Sequence, residues 1–224
     1  MCRLKAFGFG MKVYGMLVAI LCFSVRILLA QELPLKVLDR VSKNYKSFKT
    51  VRASFDYTVL DKNMNKLAGS EAKLQLDIRS GKYHIVMDDR EIISDAKTQW
   101  QVMKDVGEVQ ISDADSDPDQ LTPANVFTFY KTGYGYTALP DEKEGGKLFY
   151  AIRLDPQDKS KPIRYVKLRI DKVTNLIKDV SVFDKSGGSF SYRVQKFEKN
   201  IALPAAAFTF DKADYKGMEI VDLR

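Results

Sequence analysis

The sequence predicts a mainly β domain: one meandering antiparallel sheet with few helices. Three observations predict it. Apolar residues recur with period two along most of the chain, and the segments between the runs are of hairpin length and rich in turn residues. No helical stretch of the kind that carries one parallel strand over to the next lies between them.

Residues 1–30 stand apart from that pattern. From Met11 the chain reads MKVYGMLVAILCFSVRILLAQ, in which Lys12 precedes an apolar run over 13–23 and Ala30 offers a small residue for cleavage. This is the layout of a secretory signal, with Met11 an alternative start. Arg26 interrupts the apolar stretch, and a charge deep in a bilayer is expensive, which favours cleavage over an uncleaved anchor. Both cysteines, Cys2 and Cys22, fall in this leader, and Cys22 lacks the small preceding residue expected of a lipid-modified cysteine. The remaining domain, 31–224, therefore has no disulfide, thiol nucleophile or cysteine metal site.

The charge changes with the leader. The full 224 residues carry a formal +7; without residues 1–30 the balance is 32 basic against 29 acidic side chains, or +3 on 194 residues. Spread along the chain, that surplus argues against nucleic-acid binding, which needs a concentrated basic stripe. With 45% hydrophobic and 29% charged residues, the chain is neither disordered nor a multispanning membrane protein.

The elements follow in order. An amphipathic helix is predicted over 32–48, where Leu35, Leu38, Val41, Tyr45 and Phe48 recur at three- and four-residue spacing. The period then switches to two: Val51, Ala53, Phe55, Tyr57 and Val59 share one face, and Leu74, Leu76 and Ile78 share the next. Shorter strands are predicted over 83–87, 91–94, 98–103 and 108–112. A second helix is predicted over about 122–130, opening on Thr122 and Pro123. Strands resume over 133–139, 147–154, 163–170, 177–183, 189–197, 207–210 and 218–221. The whole reads as one domain.

Candidate catalytic groups are few. His84 is the only histidine, set mid-strand in opposite phase to Tyr83 and Ile85, and no serine sits in a nucleophile turn. The acidic run from Asp113 to Asp119 imitates a calcium loop but has Pro118 where a glycine belongs and Ala124 where a glutamate belongs. It reads as a solvated turn. No glycine-rich phosphate loop occurs. The sequence predicts a non-enzymatic protein without metal or cofactor. What is left is apolar strand surface, with ten Phe, ten Tyr and one Trp after the leader. Two helices cannot cover a dozen strands, so either a lidded apolar trough or a fully packed sandwich or barrel fits.

Ser94, Asp95, Lys97 and Trp100 resemble the Ser-Asp-Gly-Lys-x-x-Trp signature of the periplasmic outer-membrane lipoprotein carrier protein (LolA) family, with Ala96 in place of its glycine. The run from Glu108 to Ile111, the LTPANVF run from Leu121 to Phe127, the segment from Val51 to Phe55 and the Phe208-Thr-Phe210 run are similar to the same family, in order. The resemblance implies an unclosed, strongly curved antiparallel β half-barrel with a helical lid over an apolar cavity. It implies a monomeric periplasmic carrier of lipoprotein acyl chains. Its partners would be acylated lipoproteins, an inner-membrane lipoprotein-releasing ABC transporter and an outer-membrane lipoprotein acceptor. A periplasmic lipid- or lipoprotein-sensing module on the same fold is the alternative. By strand phase the cavity is assigned to Phe55, Tyr57, Val59, Leu74, Leu76, Ile78, Tyr83, Ile85, Trp100 and Val102, with Phe127 and Tyr130 facing them from the lid. The family's lid-latching arginine is carried to Arg79.

Overall fold

The computed structural model describes residues 33–114, 122, 123, 125 and 128–224. The leader, both cysteines, most of the acidic run after Asp113, and Phe127 lie outside these residues. One helix, α1 (Pro34–Lys46), precedes twelve strands: β1 (Thr50–Leu60), β2 (Lys66–Asp77), β3 (Lys82–Val86), β4 (Arg90–Ser94), β5 (Thr98–Met103), β6 (Glu108–Asp113), β7 (Tyr134–Glu144), β8 (Lys147–Pro156), β9 (Ile163–Asp171), β10 (Ile177–Asp184), β11 (Ser189–Lys199) and β12 (Glu219–Asp222). All twelve belong to one sheet, ordered β12-β6-β5-β4-β3-β2-β1-β11-β10-β9-β8-β7. Its two ends do not pair, so the sheet is unclosed. The ladder is antiparallel except at β12, which runs parallel to β6.

The helix begins on Pro34, whose missing N–H costs nothing in a first turn, and carries Lys43 and Lys46 in its last turn, against the negative end of its dipole. Its buried stripe is Val37, Leu38, Val41 and Tyr45; Leu35, assigned to that stripe by spacing, is exposed. α1 lies on one face of the sheet, over the half made by β7–β10. There Arg40 donates to the Tyr150 hydroxyl at 3.3 Å, Asn44 donates to the Thr174 carbonyl at 3.0 Å, and the Ile177 N–H donates to the Tyr45 hydroxyl at 3.1 Å. Beneath the helix, Ile152, Leu154, Val166, Leu168 and Ile170 are all at most 2% exposed.

β6 and β7 lie toward opposite ends of the sheet order, and of the crossing segment between them Thr122 and Pro123 are placed against the inner face. The second helix expected over 122–130 appears in its described residues as hydrogen-bonded turns, ending in a 3₁₀ helix at Phe129–Lys131. Asn125 and Thr122 bond reciprocally through backbone and side chain. Tyr130 is fully buried and donates to the Leu38 carbonyl at 2.9 Å, pinning the end of the crossing to α1.

A second, smaller apolar layer forms outside the sheet. The strand expected over 207–210 is instead a 3₁₀ helix, Ala205–Phe208, following Pro204. This C-terminal segment lays Phe210 flat on Trp100 (centroids 5.8 Å apart, planes 13°) and Tyr215 flat on Phe210. Ile93, Val102 and Val109 are buried on that outer face. Glu91 ties the layer down: it accepts from Tyr215 at 3.0 Å and Lys104 at 3.0 Å, and lies 3.3 Å from His84. Burial pushes the Glu91 carboxyl up, but the bonds from Lys104 and Tyr215 outweigh it and hold it below the ordinary range.

The β4–β5 hairpin carries the Ser94 to Trp100 signature. Asp95 accepts from the backbone N–H groups of Lys97 (2.9 Å) and Thr98 (2.8 Å), and fully buried Ser94 accepts from that of Ala96 (3.2 Å). Ala96 has φ +75°, left-handed backbone that favours glycine. The turn is thus kept with an alanine, at a cost. Ala96→Gly is expected to stabilise the fold by up to about 1 kcal/mol, read as a higher urea midpoint at constant m; an unchanged or lower midpoint would show the turn unstrained. Because the Glu91 pKa is depressed, its contribution is present above the unfolded value and fades as pH falls through the folded one. Glu91→Gln should therefore lower stability near pH 7, with the difference shrinking in acid.

Candidate apolar binding site

The half of the inner face that α1 leaves uncovered holds an apolar cavity of about 230 Å³. β1 contributes Val51, Ala53 and Phe55, β2 Leu74, and the β3–β4 hairpin Tyr83, Ile85, Met87 and Ile92. Ile177, Val180, Tyr192, Val194 and Phe197 come from β10 and β11, with Tyr45 entering from α1 and Thr122 and Pro123 from the crossing segment.

Register explains how residues so distant in sequence share one wall. β1 pairs with β2 on one side and with β11 on the other, so Ala53 stands between Leu74 and Phe197, and Tyr57 opposite Tyr192. A bulge between Ser54 and Phe55 resets the phase of β11. It turns Tyr192, Val194 and Phe197 all inward, which strict alternation would forbid.

Of the residues assigned by phase, Phe55, Leu74, Tyr83 and Ile85 line the cavity. Leu76 is on the same face but fully packed in the core, with Ile78 against it. Tyr57 and Val59 continue the inner face toward the free ends of β1 and β2, the Tyr57 ring 5.2 Å from that of Tyr192. Trp100 and Val102 do not belong to the cavity: Trp100 pairs with Ile93 and Val102 with Val109, on the outer face beneath the C-terminal segment. The apolar residues of β5 face outward, and its inner positions carry Gln99 and Gln101; Gln99 accepts from the Tyr83 hydroxyl at 2.7 Å. Tyr130 packs against α1 rather than across from the β1–β3 residues. Arg79 is exposed in the β2–β3 turn, its N–H bonded to Asp77 and its guanidinium bonded to no described residue.

The lining contributed by β10 and β11 was missed by phase reading, although residues 189–197 are rich enough in aromatics to have raised the question. Burial raises the Tyr192 hydroxyl to about 12, so it is neutral at pH 7. Among the described residues no cluster could hold a metal ion. The arrangement can take up hydrocarbon without covalent chemistry, since its lining is predominantly apolar.

Fold and cavity together define a half-open β container with an apolar interior. The family model for the outer membrane lipoprotein carrier protein LolA matches residues 46–211, and the chain belongs to that family. In sequence, no curated protein matches it. An uncharacterized conserved protein from Thermus thermophilus has a similar fold (TM-score 0.57, 12% identity, covering 84% of this chain and 98% of that one). A putative outer membrane lipoprotein-sorting protein domain from Vibrio parahaemolyticus aligns with TM-score 0.45 and 14% identity over 81% of this chain and 97% of that one. A LolA superfamily protein from Nitrosomonas europaea aligns with TM-score 0.42 and 10% identity, over 81% and 100%.

Because Trp100 works on the outer face, Trp100→Ala should destabilise the fold by roughly 2–4 kcal/mol while leaving uptake of an apolar dye by the cavity unchanged. Reduced dye affinity in protein that is still folded would return Trp100 to the cavity.

Proposed function

We propose that this chain is a non-enzymatic periplasmic carrier. It binds the acyl chains of lipoproteins in the inner-face cavity and shuttles them from the inner to the outer membrane. The cavity carries this reading: it is apolar, it lies on the sheet half that α1 leaves bare, and it belongs to a chain of the lipoprotein carrier family. Residues 1–30 act in this reading as the export signal. An inner-membrane ABC transporter that releases lipoproteins would load the carrier, and an outer-membrane acceptor would empty it.

The energetics suit a carrier. Each buried CH₂ is worth about 0.8 kcal/mol, so fatty chains exposed to water cost tens of kcal/mol in total. At about 230 Å³ the cavity is smaller than ordinary small-ligand sites, which start near 300 Å³. Acyl chains longer than this volume holds would widen it or extend from its open side.

Purified protein is expected to displace a fluorescent fatty acid and to keep a tri-acylated lipoprotein soluble after its release from inner-membrane preparations. Phe55→Asp, which puts a carboxylate into the apolar lining, should weaken dye binding at least tenfold. Absence of any acyl-chain binding by the wild type would sink the proposal. Binding without transfer, together with co-purification of an integral membrane partner, would favour a sensing role instead.

A further inference from the structure

Beside the cavity, the Arg90 Nη1 group and the Tyr57 and Tyr192 hydroxyls are hydrogen-bond donors that bond to no described residue. Arg90 lies on the inner face of β4, two residues before Ile92, and its carbonyl accepts the Met87 N–H at 2.8 Å; both Met87 and Ile92 line the cavity. Its side chain is half-exposed, and the guanidinium acts on both the Tyr57 and Tyr192 phenols. The hydroxyls of Tyr57 and Tyr192 bond to no described residue, although the two rings pack together. Asp89 holds the guanidinium side-on, accepting from Nε at 3.1 Å and Nη2 at 2.7 Å. That leaves Nη1 without a partner among the described residues.

We propose that Arg90, Tyr57 and Tyr192 form a carbonyl-binding subsite at the cavity mouth, which takes the neutral ester or amide end of an acyl chain whose hydrocarbon fills the cavity. This rests on the acyl-binding reading and adds the ligand's orientation and class. The chain enters tail first, toward Phe197 and Ile177, and its carbonyl oxygen stops at the donors. A guanidinium alone would prefer a carboxylate. Here Asp89 neutralises it, and the Arg90 bond holds the Asp89 carboxyl below the ordinary range, so it stays ionised. A free fatty-acid anion would meet that carboxylate, whereas an uncharged carbonyl accepts the hydrogen bond without that repulsion.

The test uses the whole protein and three ligands with the same sixteen-carbon chain: 1-palmitoylglycerol, the ether 1-O-hexadecylglycerol, which lacks only the carbonyl, and palmitate. Each is titrated against a bound fluorescent fatty acid. Wild type should prefer ester over ether by about tenfold, the worth of a hydrogen bond to a charged group, and ester over palmitate. Arg90→Met keeps the apolar stem and removes the donor; the triple variant Arg90→Met, Tyr57→Phe, Tyr192→Phe removes all three. Both should bring the ester-to-ether ratio close to one while ether affinity stays within about twofold, with unfolding midpoints confirming the fold. The subsite is overturned if wild type binds ester and ether alike, if it prefers palmitate, or if the variants weaken both glycerol ligands equally. Should wild type bind none of the three, the acyl-binding reading falls as well.

Discussion

The architecture depends on a mismatch of lengths. A helix of 13 residues is about 20 Å long, while a sheet of twelve strands spaced by about 4.8 Å is roughly 50 Å across. One helix cannot cover one face of such a sheet. α1 is fixed over β7–β10 by Tyr45, Asn44 and Arg40, and the face of β1–β4 is left bare. In an ordinary globular domain that bare face would be closed by a second sheet or by further helices. Here, among the described residues, Tyr45 of α1 and Thr122 and Pro123 of the crossing segment reach it, and the cavity is the space that results.

The two faces of the sheet are finished in different ways, and this separates binding from stability. On the outer side of β3–β6 the C-terminal segment closes the surface with stacked aromatics and the Glu91 cluster. On the outer side of β7–β11, Arg169 is buried against Asp179 and reaches Glu144 at 2.7 Å, a charged network in which each cation has a partner.

Much of this was legible in the sequence. Period-two patterning located the twelve strands, with one further strand over 207–210 that is a 3₁₀ helix instead, and the three- and four-residue spacing located α1, because both signals arise from burial on one side of an element. Phase alone placed Phe55, Leu74, Tyr83 and Ile85 toward the cavity. It failed on Trp100 and Val102 for a specific reason: the C-terminal segment covers the outer face of β5, so apolar character there marks the outside rather than the cavity. It also passed over Val194 and Phe197 together, since a bulge brings onto one face residues that alternation sets apart. The Ser94 to Trp100 motif marked the family, yet its residues build a turn and an outer stack rather than the cavity wall.

The seam between β1 and β11 has a kinetic consequence. It joins Val51 to Lys199 and Leu60 to Ser189, pairings separated by 148 and 129 residues of chain. The cavity wall straddles this seam, so it is incomplete until β11 has been synthesised and has closed the longest loop in the fold. Contacts so distant in sequence slow folding. Until then β1 presents an unpaired edge carrying Phe55, Tyr57 and Val59, which makes the newly made chain, rather than the finished protein, the form most exposed to aggregation.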